Sequence, residues 1–343
     1  NVSYSYEQNL RYRLEVNGKQ EIQDILAKVG EVNKNTVFNS LFKALGKDKT
    51  IQFQKKTIDS KNTFNVNDYG LRFRLSNETL KMTKEDKDLL ENLSFVEGDN
   101  IQYRLRNRHS YVMFEDSTIE VRLDITHVRT SNFLTKIAYD LGHYEVEMEF
   151  IKKKKFDMKH AMDKYYKSIT FVLKCMQQSN SLISLLEEQY VLREYMNDMQ
   201  LKRLKITIRN PTTLTKHNLI NNLKVNYAIT DKADGLRYLL YTLDEQCYLI
   251  STNLKVKKID LKIKNKKFNH SILDGELVFN SDTRSYMFLA FDILFDSGES
   301  VRHLNLQERL NVLDKLIETC FNNQTKNSDA VSYTHLRAHE TDS

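Results

Sequence analysis

The string Lys232-Ala233-Asp234-Gly235-Leu236-Arg237 holds residue types that could do covalent chemistry at a workable spacing. A lysine at the end of the strand-like Tyr227-Ala228-Ile229-Thr230, beside a tight glycine turn and near Arg237, can lose its proton more readily through burial and a neighbouring cation. Its neutral amine is then a nucleophile. On its own, K-x-D-G-x-R is also what a solvated hairpin carries. Two further strings follow it. Ser271-Ile272-Leu273-Asp274-Gly275-Glu276-Leu277-Val278 reads as a strand presenting the carboxylate of Glu276, and Phe288-Leu289-Ala290-Phe291-Asp292-Ile293-Leu294-Phe295 reads as a buried strand.

A second constellation lies upstream. In His143–Ile151, Tyr144, Val146, Met148 and Phe150 alternate with Glu145, Glu147 and Glu149, which places three carboxylates on one side of one strand. Like charges about 7 Å apart repel, so burying such a row requires water, basic side chains or a divalent cation to offset it. Ile101–Phe114 alternates Ile101, Tyr103 and Leu105 with Arg104, Arg106 and Arg108. After the turn-like Glu115-Asp116-Ser117, Ile119, Val121, Leu123 and Ile125 alternate with Glu120, Arg122, Asp124 and Thr126. The two runs predict a hairpin. Leu71–Leu75 adds Arg72 and Arg74. An ordinary sheet with charged faces in water shows the same alternation. A barrel whose lumen holds a metal with carboxylates and phosphates with arginines also needs this inventory.

Between these constellations the period changes. From Phe156 to about Leu204, apolar residues such as Ile169, Val172, Leu173 and Met176, then Leu182, Leu185 and Leu186, fall at helical spacing. Two helices broken near Ser179–Ser181 are expected, and a domain boundary near Pro211.

The three strings around Lys232, Glu276 and Phe291, in this order, resemble motifs I, III and IIIa of the covalent nucleotidyltransferases, the superfamily of mRNA capping enzymes and ATP-dependent DNA and RNA ligases. The resemblance implies that Lys232 attacks the α-phosphate of a nucleoside triphosphate with a divalent metal, Mg2+ or Mn2+, releasing pyrophosphate and leaving a lysyl phosphoramidate. It implies nucleotide contacts at Asp234, Gly235, Arg237, Glu276 and Phe291, with Arg237 and Glu276 at the ribose and adjacent phosphate and Phe291 stacked on the base. The acid-and-arginine half resembles the triphosphate tunnel RNA triphosphatases. This implies metal ligation by Glu145, Glu147, Glu149 and Glu15, and triphosphate contacts from Arg72, Arg74 and Arg122. Those enzymes usually carry an E-x-E pair on an early strand, whereas Arg13-Leu14-Glu15 offers Glu15 alone.

Tunnel, helical connector, then guanylyltransferase is the domain order of capping enzymes of large cytoplasmic DNA viruses. Asn210-Pro211-Thr212-Thr213-Leu214, Val301-Arg302-His303-Leu304 and Gln307-Glu308-Arg309-Leu310 resemble that group as well, and the resemblance covers about residues 10 to 320. The expected fold class is α+β: an antiparallel tunnel barrel over 1–155, a helical connector over 156–208 and the N-terminal part of a nucleotidyltransferase catalytic domain over 209–330. The expected function is removal of the γ-phosphate from an RNA 5′ end, then transfer of GMP from GTP to the 5′-diphosphate, in the cytoplasm of an infected host cell or in the virion. The alternatives are an ATP-dependent polynucleotide ligase and a degenerate RNA-binding scaffold. Motifs IV to VI are absent from the string, and a methyltransferase domain or subunit is expected outside it. The groups that read guanine belong largely to those missing motifs, so GTP over ATP comes from the family alone.

Composition sets the outer bounds. With 343 residues, 40% hydrophobic and 29% charged, the chain is long enough for about two domains. It has no run near the ~18 apolar residues of a membrane span. Its +6 net charge arises after residue 150 and suits a polyanionic partner without establishing one. The three cysteines, Cys175, Cys247 and Cys320, form no disulfide or metal-binding pattern, and a reducing compartment is expected. One proline and nine glycines stand where about 17 and about 24 are usual, as an AT-rich genome would leave them. The chain starts at Asn1, so its amino end is expected to be a cut. The segment 331–343 departs in texture, and its reverse translation matches adapter DNA used to build sequencing libraries. It is expected to be a non-native tail, with His335 and His339 not metal ligands.

Overall fold

The computed structural model describes residues 2–7, 10–27, 41–45, 47–92, 101–210, 212–213, 215–217, 228–229, 234–263, 265–282, 284–320, 332–335 and 339–340. The chain divides into two compact units, Asn1–Ile169 and Thr170–Ser343.

In the first unit the period-2 segments become long strands: β1 (Val2–Glu7), β2 (Leu10–Val16), β3 (Ile51–Val66), β4 (Leu71–Thr79), β5 (Ile101–Glu115), β6 (Ile119–Ser131) and β7 (His143–Lys152). They pair antiparallel in the order β4-β3-β2-β1-β5-β6-β7, and β5–β6 is the hairpin the alternation predicts. Register sorts the side chains. Leu14 lies opposite Phe53 and, with Tyr12 and Tyr103, forms a core closed by Leu90 of helix α2 (Lys84–Asn92) and by Leu134 and Ile137 of a 3-10 turn. α1 (Lys19–Ala27) follows β2. The expected barrel corresponds here to a seven-stranded sheet, with no ladder from β4 to β7 among the described residues. Alternation cannot decide closure, because an open sheet with one covered face has the same period as a closed one.

α3 (Met158–Gln177) carries the division between the units. Its first half packs on the first unit, where the Tyr165 hydroxyl donates to the Met148 carbonyl at 3.0 Å and its ring meets Phe150 edge-on. After a break at 178–184, α4 (Leu185–Asp198) starts at Ser184, whose side chain accepts from the Glu187 amide at 3.1 Å and so caps the helix. Both helices match the sequence expectation. In α4, Val191 and Tyr195 are fully buried in the second unit's core. Helical spacing shows that a face is buried but not which sheet buries it.

The second unit has three layers. Its sheet contains β9 (Leu236–Leu243), β10 (Gln246–Ser251), β11 (Val256–Lys262), β12 (Ile272–Asn280), β13 (Ser285–Asp296) and β14 (Glu299–Ser300), ordered β11-β10-β9-β12-β13-β14. Leu239, Tyr241 and Ile250 pack with α4. Leu240, Leu249 and Leu273 pack with Leu313 and Leu316 of α5 (Leu306–Cys320). β8 (Ala228–Ile229) precedes this sheet. In the segment expected to be non-native, β15 (Ser332–His335) runs parallel to β13 and β16 (His339–Glu340) pairs with β8. Such pairing uses backbone groups, which an open strand edge offers to any chain.

Candidate functional site

The strand and turn glycines set up the site of the second unit. Glu276 on β12 lies directly opposite Arg237 on β9, and one of its carboxylate oxygens accepts from the Gly235 amide at 3.0 Å. Gly235, the last residue of the K-x-D-G string, is thereby tied to the D-G-E strand. Both glycines are needed for close approach: a Cβ on Gly235 would lie 2.7 Å from the Leu277 carbonyl oxygen, and one on Gly275 would lie 2.5 Å from the Leu289 carbonyl oxygen.

The pairing of β12 with β13 slips between Asp274 and Gly275, whose partners are Asp292 and Ala290, so Phe291 occupies a bulge. Bulges re-aim side chains, and the Phe291 ring lies under the Arg237 guanidinium, 5.5 Å away. Arg237 donates from Nε and Nη2 to Asp274 at 3.0 and 2.7 Å and from Nη2 to the Arg209 carbonyl at 2.8 Å. Asp274 is 2% exposed. Burial raises its pKa, Arg237 opposes that and Asp292 adds to it. The pKa of Arg237 is raised, first by the Asp274 hydrogen bond.

Of the sequence-predicted nucleotide contacts, the structure brings Gly235, Arg237, Glu276 and Phe291 together. Asp234 is exposed just before β9, and Lys232 lies outside the described residues. The fork of Arg237 is held by Asp274, a partner that the D-G-E string contains but that residue spacing does not reveal.

In the first unit, register puts the charged set on one face of the sheet: Glu15 opposite Gln52, Arg72 opposite Asn65, Arg122 opposite Glu149, Asp124 opposite Glu147 and Thr126 opposite both Arg108 and Glu145. Each predicted metal ligand has an arginine. Glu145 meets Arg104 at 2.7 Å, Glu15 meets Arg106 at 2.8 Å, Glu147 meets Arg108 at 3.8 Å, and Glu149 meets Arg122. Burial raises the Glu145 pKa, but Arg104 and His143 bring it below its ordinary value. Among the described residues no group of three or more carboxylate, imidazole or thiol side chains converges as metal ligands would. Glu15, four strands from β7 along the sheet, is not brought to Glu145, Glu147 and Glu149 by the strand pairing.

Asp124 is the unforeseen member of this face. It is fully buried, with Arg108 at 3.0 Å and Arg122 at 3.4 Å, yet both carboxylate oxygens and the neighbouring Thr126 hydroxyl lack a well-directed hydrogen bond among the described residues. Arg11 and Arg13 are also on this face. Burial and then the nearby charges of Arg74, Arg104 or Arg106 depress their pKa values, the mark of crowded cations. Arg74 joins that crowd. Arg72 instead donates to Asn65 at 3.1 Å.

Residues 187–337 match the model of the mRNA capping enzyme catalytic domain. The probable mRNA-capping enzyme of Acanthamoeba polyphaga mimivirus is 26% identical over 316 residues, covering 91% of this chain and 26% of that protein. The mRNA-capping enzyme subunit alpha of Schizosaccharomyces pombe is 28% identical, covering 37% of this chain and 34% of that protein. The chain therefore spans about a quarter to a third of the length of these curated relatives. Among solved structures, the RNA triphosphatase domain of a trifunctional mimivirus mRNA capping enzyme aligns with 50% of this chain and 72% of its own at 17% identity and a TM-score of 0.38, and a triclinic form of that triphosphatase does so at 0.39. The second unit is thus similar to the mRNA capping enzyme catalytic domain over 187–337, and nearly the whole chain aligns with part of a viral capping enzyme.

Proposed function

We propose that this chain supplies two steps of viral mRNA capping, hydrolysis of the RNA 5′ γ-phosphate in the first unit and guanylyl transfer in the second. The observation that carries the reading is the tie between the strings: Gly235 to Glu276, and Arg237 to Asp274 and Phe291, within a match to the capping catalytic domain. Lys232 is the proposed nucleophile. Its amine attacks the α-phosphorus of GTP, a P–N bond forms, the bond to the β-phosphate oxygen breaks, pyrophosphate leaves and the amine sheds a proton. Phe291 would offer the base a ring, and Glu276 would hold Gly235, three residues after the nucleophile. Asp234 and Gly235 are proposed to line the phosphates.

In the first unit the crowded arginines Arg11, Arg13 and Arg74 would bind the 5′-triphosphate and relieve their mutual repulsion, with Arg72 and Arg122 beside them. A divalent ion, Mg2+ or Mn2+, is proposed to be held by the hard carboxylates Glu145, Glu147 and Glu149 with Glu15 from the far side, which requires them to leave their arginines and converge, since no three ligand groups do so among the described residues. Bound there, it would polarise the γ-phosphate. Closure of the sheet into a tunnel belongs to this proposal, because Glu15 meets Glu145 only if the sheet curls round. No helix among the described residues is long and apolar enough to cross a membrane. The viral relative supports action in the infected host's cytoplasm or in the virion, with RNA 5′ ends and GTP as partners and a methyltransferase domain or subunit for the next step.

The test is incubation of the intact protein with α-labelled GTP or ATP. Covalent label from GTP, lost in Lys232→Ala, is expected; label from ATP alone would make the protein a ligase.

A further inference from the structure

Behind the nucleotide site lies a line of four charges. Asp274 and Asp292 face each other across β12 and β13, both nearly buried. Each carboxylate holds an arginine by a fork. Arg237 bonds Asp274 as described, and Arg309, in the first turn of α5, donates from Nε and Nη2 to Asp292 at 2.7 and 3.0 Å. Each arginine is also anchored on a backbone carbonyl, Arg237 on Arg209 and Arg309, from Nη1, on Leu304 at 2.7 Å. Arg309 is 3% exposed and, among the described residues, contacts neither Phe291 nor Gly235. Its sequence context marks it only as part of a helix start.

We propose that Arg309, acting through Asp292, is a positioning residue for the nucleotide site, holding the Asp274–Arg237 pair in place over Phe291. This rests on the guanylyltransferase reading and adds to it a residue outside the nucleotide contacts. The reason is charge balance in a dry place. With Arg309 present, two facing carboxylates are matched by two guanidinium groups. Without it, two buried carboxylates share one arginine, a state that burial and like-charge repulsion both oppose. Either Arg237 turns toward Asp292, or one carboxylate takes up a proton and loosens its hold on Arg237. Both outcomes move the guanidinium away from its place above Phe291. Removing Asp292 along with Arg309 takes out a neutral pair and leaves Asp274 and Arg237 matched.

Four proteins test this: wild type, Arg309→Met, Arg309→Lys and the double variant Asp292→Asn/Arg309→Met, each followed by lysyl-nucleotide formation and by thermal midpoint. Arg309→Met is expected to raise the KM for GTP about tenfold with a smaller change in kcat, the size of coupling seen between residues that share one network. The double variant and Arg309→Lys, which keeps the charge without the fork, are expected to return KM to within about threefold of wild type. An Arg309→Met that lowers only the thermal midpoint, or a double variant and a lysine variant as impaired in KM as Arg309→Met, overturns the proposal. If Arg309→Met does not fold, the lysine and double variants still decide by the same KM criterion. The two failures are separable. Absence of label from GTP on the wild type removes the activity reading, and the same proteins are then ranked by the GTP-dependent rise in midpoint, where wild type and the double variant must exceed Arg309→Met.

Discussion

At the scale of single residues, glycine and aspartate do the work that the motif letters conceal. Gly275 stands where β12 and β13 approach so closely that a methyl group meets backbone on the neighbouring strand. Gly275→Ala is therefore expected to lower stability by about 3 kcal/mol through overpacking that no flexible side chain can absorb, read as a drop in thermal midpoint, with loss of covalent label as Glu276 shifts. A stable, fully active alanine variant would show that the strands yield. The same string was legible in the sequence for its carboxylate, but Asp274 was not legible as the partner of Arg237. Thirty-seven positions separate them, and only the β9–β12 register makes them diagonal neighbours on one face.

At the scale of elements, a buried carboxylate adds to the hydrophobic docking of α2 on the first sheet. Asp86 is 3% exposed; Tyr12 donates to it at 3.0 Å, Lys55 at 2.6 Å and the Thr83 amide at 3.1 Å. Burial pushes its pKa up, but the Lys55, Thr83 and Tyr12 hydrogen bonds together bring it below the ordinary value. A carboxyl whose folded pKa is depressed adds stability above its unfolded pKa and loses it as pH falls through the folded one. Asp86→Asn is thus expected to cost about 2 kcal/mol near neutral pH, with the gap from wild type closing below about pH 4. Denaturant unfolding across pH 7 to 3 measures this, and a gap constant with pH would mean that the charge of Asp86 contributes nothing. Elements themselves were largely legible. The β5–β6 hairpin, the Glu145 strand and the two helices after Phe156 follow from period alone, because side-chain direction repeats every two residues in a strand and every 3.6 in a helix. The membership of α4 in the second core was not, because its apolar face fits any sheet of suitable curvature.

At the scale of the whole molecule, each unit has a core of its own. Leu14, Phe53 and Tyr103 belong to one cluster, and Leu249, Leu273 and Leu313 to another. Calorimetry is expected to resolve two unfolding transitions, since cooperativity follows shared buried contacts. Leu14→Ala should lower one midpoint and Leu249→Ala the other, each through a loss of about 2–5 kcal/mol in unfolding free energy. A single transition shifted by both substitutions would show one cooperative unit.

By itself the amino-acid order determined the inventory: which strands carry arginine and glutamate, where the helices fall and which lysine stands in a string resembling that of the covalent nucleotidyltransferases, since these depend on residue type and local period. Tertiary structure alone decided the partnerships. It gave Glu145 to Arg104 and Glu15 to Arg106, buried Asp124 among arginines, turned Phe291 under Arg237 through a bulge, and placed Asp292 between Asp274 and Arg309. The reason is that register and burial set the distance and the dielectric between charges, and neither is written in any one segment.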